Sequence, residues 1–188
     1  MGLIKNIRNS YARAKAVARA ARAEMETAIH YQNMSCAEAE TLPVDTLLEC
    51  VDFRLERQGG ERLLSEPFGS RQAVYTVNLF DREMRKGGLC RYFVDNSRAS
   101  APLLEEALTR VGAEPYRKLF HDFVCEHGLD VTNLSDFIIR DIDRYEKLVR
   151  KYPFEDFDGA FRELSGEKPL EEYCAAFIRS RLKDFFDK

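Results

Sequence analysis

The sequence predicts an all-α protein, a single globular multi-helix domain of about eight to ten helices with a basic N-terminal helix. Apolar residues recur at spacings of three and four along most of the chain, as they do on one face of a helix. Glycine and proline interrupt this pattern, and no stretch shows the sustained alternation of a strand. Hydrophobic residues make up 45% of the chain and charged residues 32%, which excludes a disordered protein.

The N-terminal segment, residues 1–35, is predicted to be a basic, alanine-rich helix. Residues 1–23 contain six bases and no acid, a charge of +6. Its apolar residues form a seam that predicts packing against another surface: Ile4, Ile7, Tyr11, Ala14, Ala18, Ala21, Met25 and Ala28. Residues 32–43 are interpreted as a connector, and an all-α domain is expected over residues 43–188.

The helices of this domain are delimited by caps and by helix-breaking residues. A helix over about 44–57 should end at Gly59–Gly60, and one over about 70–85 should end at Gly87–Gly88. A short helix is expected from Leu89 to Asn96. The remaining helices are predicted over about 100–112, 115–128, 135–150 (capped by Asn133 or Ser135), 155–164 and 169–186.

The cysteines and the absence of a targeting segment favour a cytoplasmic protein. The five cysteines are widely spaced without C-x-x-C, which predicts reduced thiols rather than disulfides or a zinc site. No apolar run approaches the roughly 18 residues of a membrane span, and arginines interrupt the first segment where a signal peptide would be apolar. We therefore expect no membrane association.

Residue types that carry catalysis are not arranged in a known pattern. The glycine pairs fit no phosphate-binding motif, and the three histidines lack H-E-x-x-H spacing. We expect no enzymatic activity, no cofactor and no metal. His121 and Cys125, four residues apart, are the pair that an enzyme or a metal site would use. The alternative is an ordinary, partly exposed histidine beside a core cysteine.

Acidic residues are concentrated in the second half of the chain. Residues 119–178 hold 14 acids against 7 bases. Phe154, Phe157 and Phe161 form a stripe that should be buried, which leaves the neighbouring acids outward. A solvated surface is one interpretation, and an acidic binding surface is the other. The candidates for the binding surface are Asp130, Asp136, Asp141, Asp143, Glu155, Asp156, Asp158, Glu171 and Glu172.

The segment RKGGLCRYFVDNSRASAPLLEEALTRVGA, residues 85–113, resembles the signature of the DMP-type DNA-mimic protein family. The matching residues are Gly87, Gly88, Tyr92, Phe93, Asn96, Ser97 and Gly112. The downstream stretch PFEDFDGAF resembles a second box of that family, so the resemblance covers roughly residues 43–183. Glycine turns, packed aromatics and an Asn–Ser turn shape a fold rather than perform chemistry, so these residues are predicted to be structural.

The resemblance implies a helical, dimeric protein whose carboxylates imitate DNA phosphates and occupy a DNA-binding protein. Carboxylates one helical turn apart lie about 6 Å apart along the axis, and phosphates recur about every 3.4 Å along each strand. We therefore predict a noncatalytic protein-binding module. Two alternatives remain: an inhibitor or immunity-type protein that occludes a partner enzyme, and nucleic-acid binding through the basic N-terminal helix.

For that basic helix, contact with nucleic acid, with an anionic membrane or with an acidic protein surface is conceivable. Its alanine-rich face offers few large side chains for insertion into lipid, which disfavours a membrane. Docking on an acidic protein surface is the preferred interpretation.

Overall fold

Helices account for all the regular secondary structure that the structure, a computed structural model, describes. It covers residues 2–187 and, for residues 2–12, the helical backbone alone. Within this range the all-α prediction is confirmed, with ten α-helices, three short 3-10 helices and no strand. The α-helices are α1 Gly2–Asn33, α2 Cys36–Glu40, α3 Val44–Gln58, α4 Ser70–Val94, α5 Ala101–Val111, α6 Glu114–Glu126, α7 Ile142–Lys151, α8 Phe154–Glu167, α9 Leu170–Arg179 and α10 Leu182–Phe186.

The core is built around α4, which packs against α5, α8 and α9. The ring of Phe80 on α4 meets those of Phe120 and Phe161 edge-on, with centroids 6.0 and 5.6 Å apart. Such edge-to-face pairs add to the burial of apolar area. Phe154, Phe157 and Phe161 are all buried, which confirms the apolar stripe predicted for α8.

Helix α4 is broken at Gly87–Gly88, where the sequence predicts the end of a helix. Gly88 has φ 74° and ψ −170°, a backbone conformation almost confined to glycine. A Cβ atom at Gly88 would overlap the carboxylate of Asp158 on α8. The same carboxylate accepts a hydrogen bond of 2.9 Å from the backbone N–H of Leu89. Asp158 therefore caps the second half of α4 at a place where only glycine leaves it room.

A buried carboxylate joins the two halves of α4. Glu83 is 3% exposed and accepts hydrogen bonds from Lys86 Nζ at 3.1 Å and from Arg91 Nε at 2.9 Å. Arg91 lies beyond the break, so this ion pair spans it. Burial acts to raise the pKa of the Glu83 carboxyl, but the hydrogen bonds from Arg91 and Lys86 outweigh it and hold that pKa below its usual value.

The C-terminal ends of α1 and α10 are held together by the guanidinium of Arg54, a buried residue of α3. It donates to the backbone oxygens of Tyr31, at 2.9 Å, and Gln32, at 3.2 Å, in the last turn of α1. It also donates to the backbone oxygen of Phe185 in α10, at 2.9 Å. A single side chain thus supplies donors to carbonyls that helix ends leave without partners.

Three boundary predictions are wrong. The connector contains α2, which begins at a reciprocal cap between Ser35 and Glu38. The helix expected over 135–150 starts only at Ile142, because Asp141 accepts a hydrogen bond from the backbone N–H of Arg144 and caps it there. The helix expected over 169–186 is divided into α9 and α10, because Arg181 adopts φ −142° and ψ 37°.

Helix α1, Gly2–Asn33, lies within the predicted segment 1–35 and barely packs along most of its length. Every described side chain from 13 to 27 is exposed, including Val17 at 69% and Met25 at 60%. The side chains of Ile4, Ile7 and Tyr11 in the predicted seam lie outside the described residues. Packing of the seam on another surface stays a prediction. No helix within residues 2–187 is both long and apolar enough to cross a membrane.

The break at Gly88 makes a testable prediction about stability. We expect Gly88→Ala to lower the free energy of unfolding by about 3 kcal/mol or more, because strain and overlap with Asp158 add up. Gly112→Ala is the matched control, since Gly112 also has a positive φ of 80° but has no atom within 4 Å of an added Cβ. It should cost only about 1 kcal/mol. Urea unfolding measures both losses, and equal losses would contradict a role for the Asp158 contact.

The ion pair across the break predicts a pH-dependent contribution. Glu83→Gln should destabilise the protein at pH 7 by roughly 1–3 kcal/mol, because it weakens charge-assisted bonds to a buried group. The Glu83 pKa is lowered by folding, so this contribution is present above the unfolded pKa of about 4.3 and is lost as the pH falls through the folded value. Urea unfolding from pH 7 to 3 should show the variant's deficit shrinking. A deficit independent of pH, or an equal one for the exposed control Glu61→Gln, would refute this assignment.

Candidate protein-binding surface

Two of the nine predicted acids are not free on the surface. Asp158 is half-buried against the break in α4, and burial raises the pKa of its carboxyl while the Leu89 N–H opposes the rise. Glu171 is also half-buried, and its carboxylate lies 2.9 Å from Arg85 Nη2. The expectation that the acids beside the α8 phenylalanine stripe face outward is wrong for Asp158, because its carboxylate supports the packing of α8 against the break in α4. The Glu171 carboxylate is paired across α9 and α4.

Three further acids are exposed but organise the segment between α6 and α7. Asp130 accepts hydrogen bonds from the backbone N–H and the hydroxyl of Thr132, at 2.9 and 2.6 Å. Asp141 caps α7, as described above. Asp136 Oδ1 lies 3.9 Å from Arg144 Nη2. These carboxylates shape a turn and a helix start, which reduces the charge they present to a partner.

Helix α7 carries a mixed surface rather than an acidic one. Asp143 is exposed on it, but so are the apolar side chains of Ile142 at 68% and Tyr145 at 38%. Bases outnumber acids along and just before this helix: Arg140, Arg144, Lys147, Arg150 and Lys151. Residues 140–151 therefore do not form a uniform acidic face.

The outer face of α8 carries a row of exposed acids. Asp156, Glu163 and Glu167 are exposed, and their spacings of seven and four place them on one side of the helix. Glu155 is exposed beside them, and Glu172 is exposed in the first turn of α9. Among the described side chains, none of these five carboxylates lies within 4 Å of a Lys, Arg or His nitrogen. We call these five residues the α8 acidic face.

Three members of this face, Glu155, Asp156 and Glu172, are among the acids predicted from the sequence, whereas Glu163 and Glu167 are not. The helical spacing from Asp156 was the signal available for the missing pair. Arg162 lies about 100° around the helix from Glu163 and shares the side of Glu155, seven residues earlier, so it stands beside the row of Asp156, Glu163 and Glu167 and not within it. The sequence cannot show which acids are already paired, because the partners come from other helices.

Four of the seven signature residues are buried: Gly88, Tyr92, Phe93 and Ser97. Tyr92 and Phe93 are buried, and the Tyr92 hydroxyl lies 2.8 Å from Ser100 Oγ. Ser97 is buried and Asn96 exposed in the 3-10 helix Asn96–Ser100, while Gly112 ends α5 in a left-handed conformation. This geometry agrees with a structural role for the signature.

A cleft of about 600 Å³ opens beside the break in α4, lined by Lys86, Arg162, Ser165 and the two half-buried acids. Its Ser165 hydroxyl is engaged by the Tyr116 hydroxyl at 3.2 Å rather than by a base. Across residues 2–187, no three His, Cys, Asp or Glu side chains cluster as metal ligands would.

One sequence interpretation of the His121–Cys125 pair is wrong. Cys125 is exposed, not a core cysteine, and it is the one fully exposed cysteine of the five. His121 is also exposed and contacts both Cys125 and Glu105 of α5. These three side chains form a polar cluster on the surface, away from the break in α4.

Comparison with known proteins identifies the family. A family model described as DMP19-like protein matches residues 68–181, more than half of the chain. No curated protein and no solved structure matches it. The matched segment contains α4 with its break, Asp158 and the whole of α8, and it leaves α1 outside. The chain therefore belongs to the DMP19-like family.

Proposed function

We propose that the protein is a noncatalytic binding module whose α8 acidic face occupies the DNA-binding site of another protein. The observation that carries this proposal is the row of unpaired carboxylates on Asp156, Glu163 and Glu167. Family membership supports it, since the resemblance drawn from the sequence implies DNA mimicry. The mechanism follows from the charge and spacing of these groups.

The row presents several negative charges within a short length of helix. Asp156 and Glu163 are separated by about 10.5 Å along the helix axis, and Glu163 and Glu167 by about 6 Å. One DNA strand places a phosphate about every 3.4 Å along its own axis, and these phosphates also wind around that axis, so the row reproduces part of the charge density of a phosphate backbone and not its register. Lysines and arginines that contact phosphates can therefore meet carboxylates of the same charge in this row.

The absence of internal partners matters as much as the spacing. A carboxylate that already pairs within its own chain must break that contact before it binds a new cation. The carboxylates of the α8 acidic face have no such contact among the described side chains and give up only water and counterions. Binding through them should weaken steeply with salt, as protein–DNA binding does.

Neutralising the row tests the proposal. The chain, immobilised at low salt, should capture DNA-binding proteins from a lysate of its source organism, and duplex DNA should displace them. The triple variant Asp156→Asn, Glu163→Gln, Glu167→Gln should bind the purified partner at least about tenfold more weakly, because each lost pair contributes roughly 0.5–1 kcal/mol. The matched control Asp45→Asn, Glu56→Gln, Glu61→Gln removes equal charge from exposed positions outside residues 119–178 and should bind normally.

Each alternative result has a distinct meaning. A captured partner that duplex DNA does not displace would refute mimicry and favour an inhibitor that occludes a partner enzyme. If the test and control variants weaken binding equally, the α8 acidic face is not the contact, and the effect on binding is that of the net charge of the protein.

A second candidate function is nucleic-acid binding through α1. The observation that favours it is the exposure of Arg13, Lys15, Arg19 and Arg22 on a helix that lies outside the family match. Lys15, Arg19 and Arg22 recur at spacings of four and three and therefore share one side of the helix, where Arg22 Nε also lies 3.0 Å from Glu26 Oε1. Such a basic stripe fits a phosphate backbone, without base specificity.

Fluorescence anisotropy with a labelled duplex DNA tests this second function. Lys15→Ala, Arg19→Ala, Arg22→Ala should abolish the binding seen at low salt, because phosphate contacts supply nearly all nonspecific affinity. The control Arg140→Ala, Lys147→Ala, Arg162→Ala removes three exposed bases from the family domain and should leave it unchanged. Absence of binding by the unaltered protein at low salt, or equal losses in both variants, would eliminate this function.

A further inference from the structure

The exposed cluster of Glu105, His121 and Cys125 combines a nucleophile, an imidazole and a carboxylate. Glu105 Oε2 on α5 lies 3.0 Å from His121 Nδ1, and His121 Nε2 lies 3.5 Å from Cys125 Sγ on the same helix, α6. An ionised carboxylate only accepts hydrogen bonds, so Nδ1 carries the proton directed at Glu105. This arrangement leaves Nε2 free to take up a second proton.

Cys125 Sγ lies beside the His121 imidazole ring and is not aligned with the lone pair of a single ring nitrogen. Its distances to Nε2 and Nδ1 are similar, 3.5 and 3.9 Å. A protonated imidazole so placed attracts a thiolate through its delocalised charge, and Glu105 stabilises the protonated ring from the other side. Glu105 thus acts on the thiol only through His121, as a positioning residue.

The four other cysteines are poor nucleophiles, which sets Cys125 apart. Cys50, Cys90 and Cys174 are buried, and burial raises the pKa of the Cys50 and Cys90 thiols to about 11. Cys36 is half-buried, and burial together with its hydrogen bond to Asp187 raises its pKa. Cys125 is therefore the thiol that an external reagent meets first.

We propose that Cys125 is a modification site that exchanges with low-molecular-weight disulfides, activated by His121 and positioned by Glu105. The thiol proton passes through water to His121, and the Cys125 thiolate attacks one sulfur of the disulfide. A new S–S bond forms as the old one breaks, and the departing thiolate takes the proton back from His121. Cys125 is oxidised to the mixed disulfide and the departing half of the reagent is reduced to a thiol, so no further oxidant is needed.

Charges of both signs surround the Cys125 thiol, and some of them favour its thiolate form while others oppose it. Glu105 faces the cluster from α5, and Arg117 Nη1 lies 3.9 Å from its carboxylate. Asp122 on α6 is paired with Lys118. Cys125 also sits in the last turn of α6, where the helix dipole opposes a thiolate. The carboxylates of Glu105 and Asp122 and the helix dipole oppose a thiolate, whereas the nearby cations are already paired with those carboxylates. His121 is therefore the group that must stabilise the thiolate.

The experiment measures two reactions of the full chain. Iodoacetamide labelling from pH 5 to 9 reports the thiolate, and oxidised glutathione followed by mass spectrometry reports the exchange. Cys125→Ser should remove the fast adduct in both reactions. His121→Gln should slow both reactions at pH 7 by about threefold. In the unaltered protein His121 increases the fraction of Cys125 present as thiolate, and this gain outweighs the lower intrinsic nucleophilicity of a thiolate with a lower pKa. Glu105→Gln should move the pH profile of labelling towards that of His121→Gln, while the neighbouring control Glu106→Gln should not.

Two reference measurements make the outcome decisive. The same chain unfolded in urea gives the rate of an ordinary thiol, and circular dichroism verifies that the variants stay folded. A folded Cys125 that labels no faster than the unfolded chain overturns the proposal. So does a pH profile identical in the unaltered protein and in His121→Gln.

Discussion

The contact between the Asp158 carboxylate and the glycine turn at Gly88 is the constraint on which the domain depends. A continuous α4 would carry its last two turns away from the core, whereas the break redirects them so that Tyr92 and Phe93 are buried. A break exposes backbone N–H groups that need acceptors. Asp158 supplies one to Leu89, and in doing so fixes α8 against α4. The position of the α8 acidic face therefore follows from a single turn.

Much of this fold is predictable from the sequence because its signals are local. Two helices end at the predicted glycines, Gly59 and Gly112, and α4 is broken at the predicted pair Gly87–Gly88. The Phe154–Phe161 stripe is buried as its spacing predicts. The errors arise where two local signals compete. Asp141 caps α7 more effectively than Ser135 starts a long helix, since its carboxylate meets the Arg144 N–H at 2.8 Å. Ser135 and Asp141 are both residue types that cap helices, and the sequence alone does not show which of the two starts the helix.

The candidate site is less predictable, because pairing between helices decides which charges are free. Asp158 and Asp156 are two residues apart and look equivalent in the sequence. One is half-buried in the turn of α4, and the other faces solvent, because their side chains leave α8 in different directions. Glu171 and Glu172 divide in the same way, since Arg85 of α4 reaches only the first. An acid count over residues 119–178 consequently overstates the available charge, and the tertiary fold selects a smaller set.

The opposite charges of the chain remain separate because α1 is one continuous helix. Its last turn is held by Arg54, which donates a hydrogen bond to the backbone oxygen of Tyr31. Lys15 stands sixteen residues earlier, about 24 Å along the axis, which exceeds a Debye length of about 8 Å at physiological salt. A helix without a break cannot fold back to neutralise the acids of its own domain. The bases on α1 and the carboxylates on α8 thus form two separate surfaces, and each can be altered without the other.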